Sequence, residues 1–414
     1  MQTPISGLPR TGEASYNVDL VGFVTQPGYS VKSLIGQGVL EADFLSGLYK
    51  ADIFPTEVDL TTGQDVPGGG IEFVSSGHLY SNTTYFSGLA SFQDANGVFG
   101  GPFQARFYGP AADDVGASFT GFNSTGGSVV GSLMGPQGGG LPSENLTLTN
   151  IYAQQHFYTQ SAQLFTNAND PPGLGAAAVN YVVGDLTLHP GGTVDYAPGS
   201  ASLQSATYTP ANQVAPSRPN FTTYQETVGG LPIQLDVYNV GSSNSELALS
   251  YMDLAIWRQG AGTAQQPGEY QLYSVFGMIT SPGALLRQYG TAQYTGVAYG
   301  GAVDAQSDRY DLTGVSTFSV DFTNVNYTGS LTLNGAGVGG GAGVNFGDFT
   351  FSSHIGLNGE TLTIYQAGAG VGQLINHFYG PGADEVGGTF IIQLNGGVLG
   401  GGTTIAGATT AKRQ

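Results

Sequence analysis

Two stretches of the chain carry adjacent carboxylates in nearly the same setting. FYGPAADDVGASF spans residues 107–119 and FYGPGADEVGGTF spans residues 378–390, identical at nine of thirteen positions across an offset of 271 residues. Asp113-Asp114 and Asp384-Glu385 would be acid/base pairs if both carboxylates of a pair reached one bond. Adjacent residues on a strand point to opposite faces, however, and cannot flank a common bond. In a turn they act more simply as acceptors for backbone N–H groups left open after the Gly-Pro corner. Phe107, Tyr108, Gly109, Pro110, Gly116 and Phe119 therefore read as a structural motif, repeated by Phe378, Tyr379, Gly380, Pro381, Gly387, Gly388 and Phe390. Phe119 and Phe390 would return to the core.

Other chemistry is thinly supplied. His78, His156, His189, His354 and His377 show no i,i+3 or i,i+4 pairing, and His377 matches Arg106 in the other copy. Asp304–Asp308 begins like a calcium loop but lacks its central Gly and terminal Glu. Cysteine is absent, as is a G-x-S-x-G elbow. The glycine run 337–343 has no Lys-Ser/Thr ending for a phosphate and reads as a strand-end turn. No catalytic residue, metal ligand or cofactor is expected. The one asymmetric feature is Ser76–Phe86, SGHLYSNTTYF, in the copy that is seven residues longer before its FYGP stretch. There His78, Tyr80, Tyr85 and Phe86 are candidate ligand contacts, because loop aromatics give large contact area at low entropy cost. The competing reading is that these rings pack a core.

The elements that must position these residues are strands. Gly is 68 and Pro 20 of 414 residues, charged residues are only 9% and aromatics 11%, a mixture that favours strands joined by tight turns over helices. Phe318, Val320 and Phe322 alternate with Ser319, Asp321 and Thr323, the period-2 pattern of a half-buried strand. Turn signals stand at Asp94–Gly97, Leu357–Gly359 and Asn395–Gly397. A net charge of −19 leaves too few cations to displace phosphate counterions, so nucleic acid is an unsuitable partner, as is an anionic membrane. No apolar run reaches transmembrane length, and residues 1–7 hold no charged-then-apolar leader.

The repeat extends well beyond the FYGP stretch. Gly12–Tyr16 and Gly290–Tyr294 share the pattern G-x-A-x-Y, and Asp43-Phe44, Tyr49 and Phe73 are matched in spacing by Asp321-Phe322, Tyr327 and Phe351. Each copy predicts a small antiparallel barrel of about eight strands, which also removes sheet edges. The expected organisation is a first barrel over 1–135, a β-rich domain over 140–284 and a second barrel over 285–410. The boundary lies near Met134–Pro142. Within the middle domain, 181–188, 233–238 and 247–251 are predicted strands, and Trp257 is a predicted core residue.

The G-x-A-x-Y opening, the F-Y-G-P stretch with its second-copy G-G-x-F tail, and Asn244–Tyr251 ahead of Trp257 resemble the transferrin-binding-protein-B-like family of bacterial surface proteins. The resemblance implies an all-β fold in which a handle domain accompanies eight-stranded barrels. It further implies a non-enzymatic binding protein at the outer-membrane surface of a Gram-negative bacterium, or released from it. Such a protein would capture a protein or small nutrient ligand, iron- or haem-linked, for a TonB-dependent transporter. The alternative expectation is a self-assembling fibre or surface-layer subunit, held by contacts between the first barrel and a neighbour's handle.

Overall fold

The computed structural model describes residues 1–66, 71–80, 82–95, 97–138, 145–167, 177–200, 203–260, 268–280, 284–285, 288–354, 359–394 and 402–414. The chain is all-β and contains two closed eight-stranded antiparallel barrels, with a nine-stranded sheet between them in sequence. It forms two compact units, Met1–Leu146 and Thr147–Gln414.

The first barrel comprises β1 (Glu13–Thr25), β2 (Lys32–Asp43), β3 (Leu48–Asp59), β4 (Glu72–Leu79), β5 (Tyr85–Asp94), β6 (Gly97–Tyr108), β7 (Asp114–Phe122) and β8 (Ser128–Pro136), closed by pairing of β1 with β8. Alternation along β1 shows why it closes. Ala14, Tyr16, Val18, Leu20, Gly22 and Val24 are buried inside, and the residues between them face out. The interior is filled with rings, among them Phe73, Phe86, Phe92, Phe99, Phe103, Phe107 and Phe119. Each such ring contributes roughly 1.5–3 kcal/mol on burial.

The sheet comprises β9 (Gln155–Asn167), β10 (Ala177–Leu188), β11 (Val194–Ala197), β12 (Ala206–Tyr208), β13 (Gln213–Val214), β14 (Phe221–Val228), β15 (Leu231–Tyr238), β16 (Met252–Gln259) and β17 (Gly268–Gly277). Trp257 lies fully buried in its core beside Tyr196, Leu235 and Leu272. Two of the three strands predicted here fall within β10 and β15. The third does not form: 247–251 is irregular, and β16 starts only at Met252. Two of its backbone amides, those of Ser250 and Tyr251, are committed to the second barrel, as described below, and those of Leu247 and Leu249 find local acceptors.

The second barrel comprises β18 (Thr291–Val303), β19 (Arg309–Asp321), β20 (Asn326–Gly337), β21 (Val344–His354), β22 (Glu360–Gln366), β23 (Ala369–Tyr379), β24 (Glu385–Leu394) and β25 (Thr403–Arg413), closed by β18 against β25. The glycine run after β20 is a turn, with Gly339 and Gly340 at φ +81° and +90°. The predicted turns at Leu357-Asn358 and Asn395–Gly397, and Asn96 of the Asp94–Gly97 turn, lie outside the described residues, as do residues 139–142 of the expected boundary.

Registers correct one part of the repeat. Tyr16 pairs with Leu40 as Tyr294 pairs with Phe318, so the first strands match as expected. Ile53, however, pairs with Phe73, whereas its equivalent Leu331 pairs with Phe349. The counterpart of Phe73 is therefore Phe349 and not Phe351. The extra length of the first copy is shared among hairpins rather than held in one loop. For instance, β5–β6 carries the rungs Gln93↔Val98 and Asp94↔Gly97 beyond Phe92↔Phe99, where the second barrel turns at Ala367-Gly368.

The FYGP corners are built alike. Gly109 and Gly380 sit at φ +83° and +81°, and any Cβ there would strike the side chain of Asp113 or Asp384. That carboxylate folds back, with Asp113 Oδ2 accepting from Ala111 N at 3.2 Å and Asp384 Oδ2 from Gly382 N at 2.9 Å. Ala112 and Ala383 follow at φ +64° and +54°. Their carbonyls accept the hydroxyls of Tyr16 (2.7 Å) and Tyr294 (2.6 Å), which end the two G-x-A-x-Y motifs. The two repeated motifs thus bind each other, and the first carboxylate of each pair finishes a turn.

The second carboxylates differ. Asp114 is exposed, whereas Glu385 is fully buried. The Glu385 carboxylate accepts from the amides of Ser250 (2.6 Å), Tyr251 (2.9 Å) and Met252 (3.0 Å), joining the second barrel to the segment before β16. Burial pushes its carboxyl up to about 7, against the pull of these amides and of Lys412 toward the charged form. Tyr299 Oη donating to Glu246 (2.6 Å) and Tyr181 Oη donating to the Gln373 carbonyl (2.7 Å) add further links within this unit.

Candidate functional site

The sequence-predicted site residues lie on one hairpin, β4–β5, but not in one environment. His78 is exposed on β4, Tyr80 is 43% exposed just after it, and Tyr85 is half-buried at the start of β5. Phe86 points the other way. It is 0% exposed and packs in the barrel core, its ring 4.6 Å from that of Phe107 and 4.8 Å from that of Tyr49. The cause is the strand period: once Tyr85 faces outward, Phe86 must face inward. For Phe86 the packing role is the one observed.

Tyr80 and Tyr85 stand together with near-parallel rings, centroids 6.3 Å apart and planes 5° apart. Tyr80 Oη lies 3.0 Å from Ser87 Oγ. Sequence reasoning missed the cation beside them: Arg106 on β6 pairs across the ladder with Tyr85, and its guanidinium carbon lies 5.9 Å from that ring centroid. Arg106 Nη1 also donates to Gln2 Oε1 at 3.1 Å, and Gln2 Nε2 donates to Thr84 Oγ1 at 2.8 Å. The signal was present as the mismatch of Arg106 with His377. Taken alone, that mismatch speaks only against a repeated ligand.

On the other side of Tyr80 a surface groove is lined by Pro9, Arg10, Leu45, His78, Tyr80 and Asn82. It forms where the segment leading into β1, the β2–β3 turn and the β4–β5 hairpin converge at one end of the barrel. The rim therefore combines aromatic faces, an imidazole, two guanidinium groups and the exposed Leu45 side chain. Such a set can stack on planar groups and attract anions; it carries no activated nucleophile.

The remaining candidates have structural partners. Asp304 Oδ1 accepts from Gln306 N (2.9 Å) and Asp308 N (2.8 Å), capping its own turn. His156 pairs with Asp185 (2.9 Å) and His189 with Asp195 (2.7 Å). Among the described residues no cluster of three or more His, Asp or Glu side chains is placed to hold a metal. None of their helices is long and apolar enough to cross a membrane.

No family model matches the chain, and no curated protein matches it. Among solved structures it is similar to transferrin binding protein B. The intact Ap-TbpB with N and C lobes shows 15% identity over 98% of this chain and 78% of that one, with a TM-score of 0.38. A double mutant of the Haemophilus parasuis Hp5 protein shows 15% identity over 98% and 77%, TM-score 0.38. The isotype 1 protein from serogroup B Neisseria meningitidis shows 14% identity over 98% and 78%, TM-score 0.34.

Proposed function

We propose that this chain is a non-enzymatic binding protein of the bacterial cell surface or its surroundings, and that the rim of its first barrel captures a protein or small nutrient ligand. The observation that carries this reading is the parallel Tyr80–Tyr85 pair flanked by Arg106 and opening onto the His78 groove. Exposed aromatic and Arg side chains are the residues that anchor interfaces. The corresponding hairpin of the second copy, SSHIGLNGE over 352–360, has no aromatic residue, so the barrel does not require this cluster in order to close. The motif resemblance supports an iron- or haem-carrying ligand handed on to a TonB-dependent transporter.

Calorimetric titration with haem and with iron- and haem-carrying proteins tests the reading. One of them should bind saturably, and Tyr80→Ala, Tyr85→Ala and Arg106→Ala should each weaken binding about tenfold or more, with the thermal midpoint little changed. Equal affinity in all three variants would remove the rim as the site.

A further inference from the structure

We infer that the outer wall formed by β2, β1, β8 and β7 of the first barrel is a homodimer interface, its occupant the same wall of a second copy. Six large apolar side chains stand exposed there: Ile35 (59%), Val21 (50%), Phe23 (50%), Val130 (51%), Phe122 (66%) and Met134 (61%). The ladder makes them one strip. Val21 pairs with Ile35, Phe23 with Val130, and Met134 lies two pairs along from Val21's partner Ser132, while Phe122 sits diagonally across β7 from Val130.

The exposed apolar area of these six is on the order of 600 Å², at the upper end of what a monomer ordinarily shows and comparable with the roughly 800 Å² that each partner contributes to a stable complex.

The second barrel supports the use of this wall. There the register-equivalent positions include Ala406, Ala408 and Thr410, all 0% exposed, and the wall is covered by the nine-stranded sheet of its own unit. That cover needs small residues. A Cβ on Gly301 would meet Tyr273 Oη, and one on Gly387 would meet Met252 Cε. In the first barrel the position of Gly301 is held by Phe23, that of Ala406 by Val130 and that of Thr410 by Met134. Such bulk excludes a copy of the same sheet in the same pose, which argues against barrel-to-handle assembly.

The composition of the strip favours its own copy. One charged residue stands within it: Asp19, the cross-strand partner of Met134, which accepts a hydrogen bond from Gln37 at 2.8 Å. With a net charge of −19, two copies repel through most of their surfaces and meet at least cost through a wall that carries a single charge at its end. Under twofold symmetry an apolar strip is its own complement. Lipid suits the wall less well, because a spanning barrel is apolar all round, whereas the opposite wall carries Glu72, Ser76, His78 and Ser87.

Sedimentation of the full chain over a broad micromolar range tests the inference. Wild type should form a dimer, and Phe23→Lys and Val130→Lys should each weaken it tenfold or more, while Leu89→Lys on the far wall should leave it unchanged. If a lysine variant loses its far-UV signature, Val130→Thr, which keeps strand preference, must still weaken the dimer. Three results would overturn the inference: a monomer throughout, a dimer indifferent to Val130→Thr and Phe23→Lys, or a monomer that binds phosphatidylcholine vesicles until Val130 is changed.

Discussion

Asp114 in the first barrel points to solvent, whereas its counterpart Glu385 is fully buried and holds three backbone amides. The corner that presents them is the same in both barrels: glycine at positive φ, a carboxylate folded back on it, and a tyrosine hydroxyl on the next left-handed carbonyl. The outer walls diverge in the same way. Small residues line the second, under the sheet, and bulky apolar residues line the first. The repeat keeps what closes a barrel and varies what a barrel touches. Function is therefore sought where the copies differ.

Asp114 and Glu385 should differ in what their removal costs. Glu385→Ala leaves three amides without an acceptor, at about 1–3 kcal/mol for each one buried, so a loss of about 3–5 kcal/mol is expected. Asp114→Ala, on an exposed side chain, should stay within about 0.5 kcal/mol. Denaturant unfolding checks both, and Trp257, the single tryptophan, reports the unit that holds Glu385.

A pH profile of the Trp257 transition sharpens the same contrast. Glu385 titrates near 7 when folded and near 4.5 when unfolded, so between these values the folded chain holds a proton that the unfolded chain has released. Stability should then be greatest at the acid end of this window and fall as pH rises toward 7, by up to about 3 kcal/mol. Asp253, raised by burial, contributes with the same sign. Glu385→Gln should flatten most of the slope; an unaltered slope would remove Glu385 as its source.

The smallest effects test the likeness of the corners. Tyr16→Phe and Tyr294→Phe each delete one buried hydroxyl-to-carbonyl bond, at about 1 kcal/mol apiece. Similar losses in the two units, followed by hydrogen exchange of each barrel, would confirm a shared device. A cost confined to one barrel would show that the corner bears load in that barrel alone.

Much of this fold was legible in the residues. Alternation in β19, the paired G-x-A-x-Y and FYGP motifs and the turn-forming Asp113 and Asp384 all act over a few residues, so local sequence suffices to read them. The candidate site was legible in part: Tyr80 and Tyr85 were found, but Arg106 is brought beside Tyr85 only by strand pairing, and Phe86 is turned inward by the same ladder.

An all-β chain with two copies of one barrel and a common corner follows from local residues, because strand period and turn chemistry are local properties. Long-range packing sets the rest: Phe349 answers Phe73, 247–251 forgoes a strand, and Glu385 rather than Asp114 becomes a buried acceptor. Those outcomes depend on partners far along the chain, as with the amides of Ser250–Met252 more than a hundred residues before Glu385. A carboxylate's burial and a strand's register are set by what packs against them, which no stretch of neighbouring residues specifies.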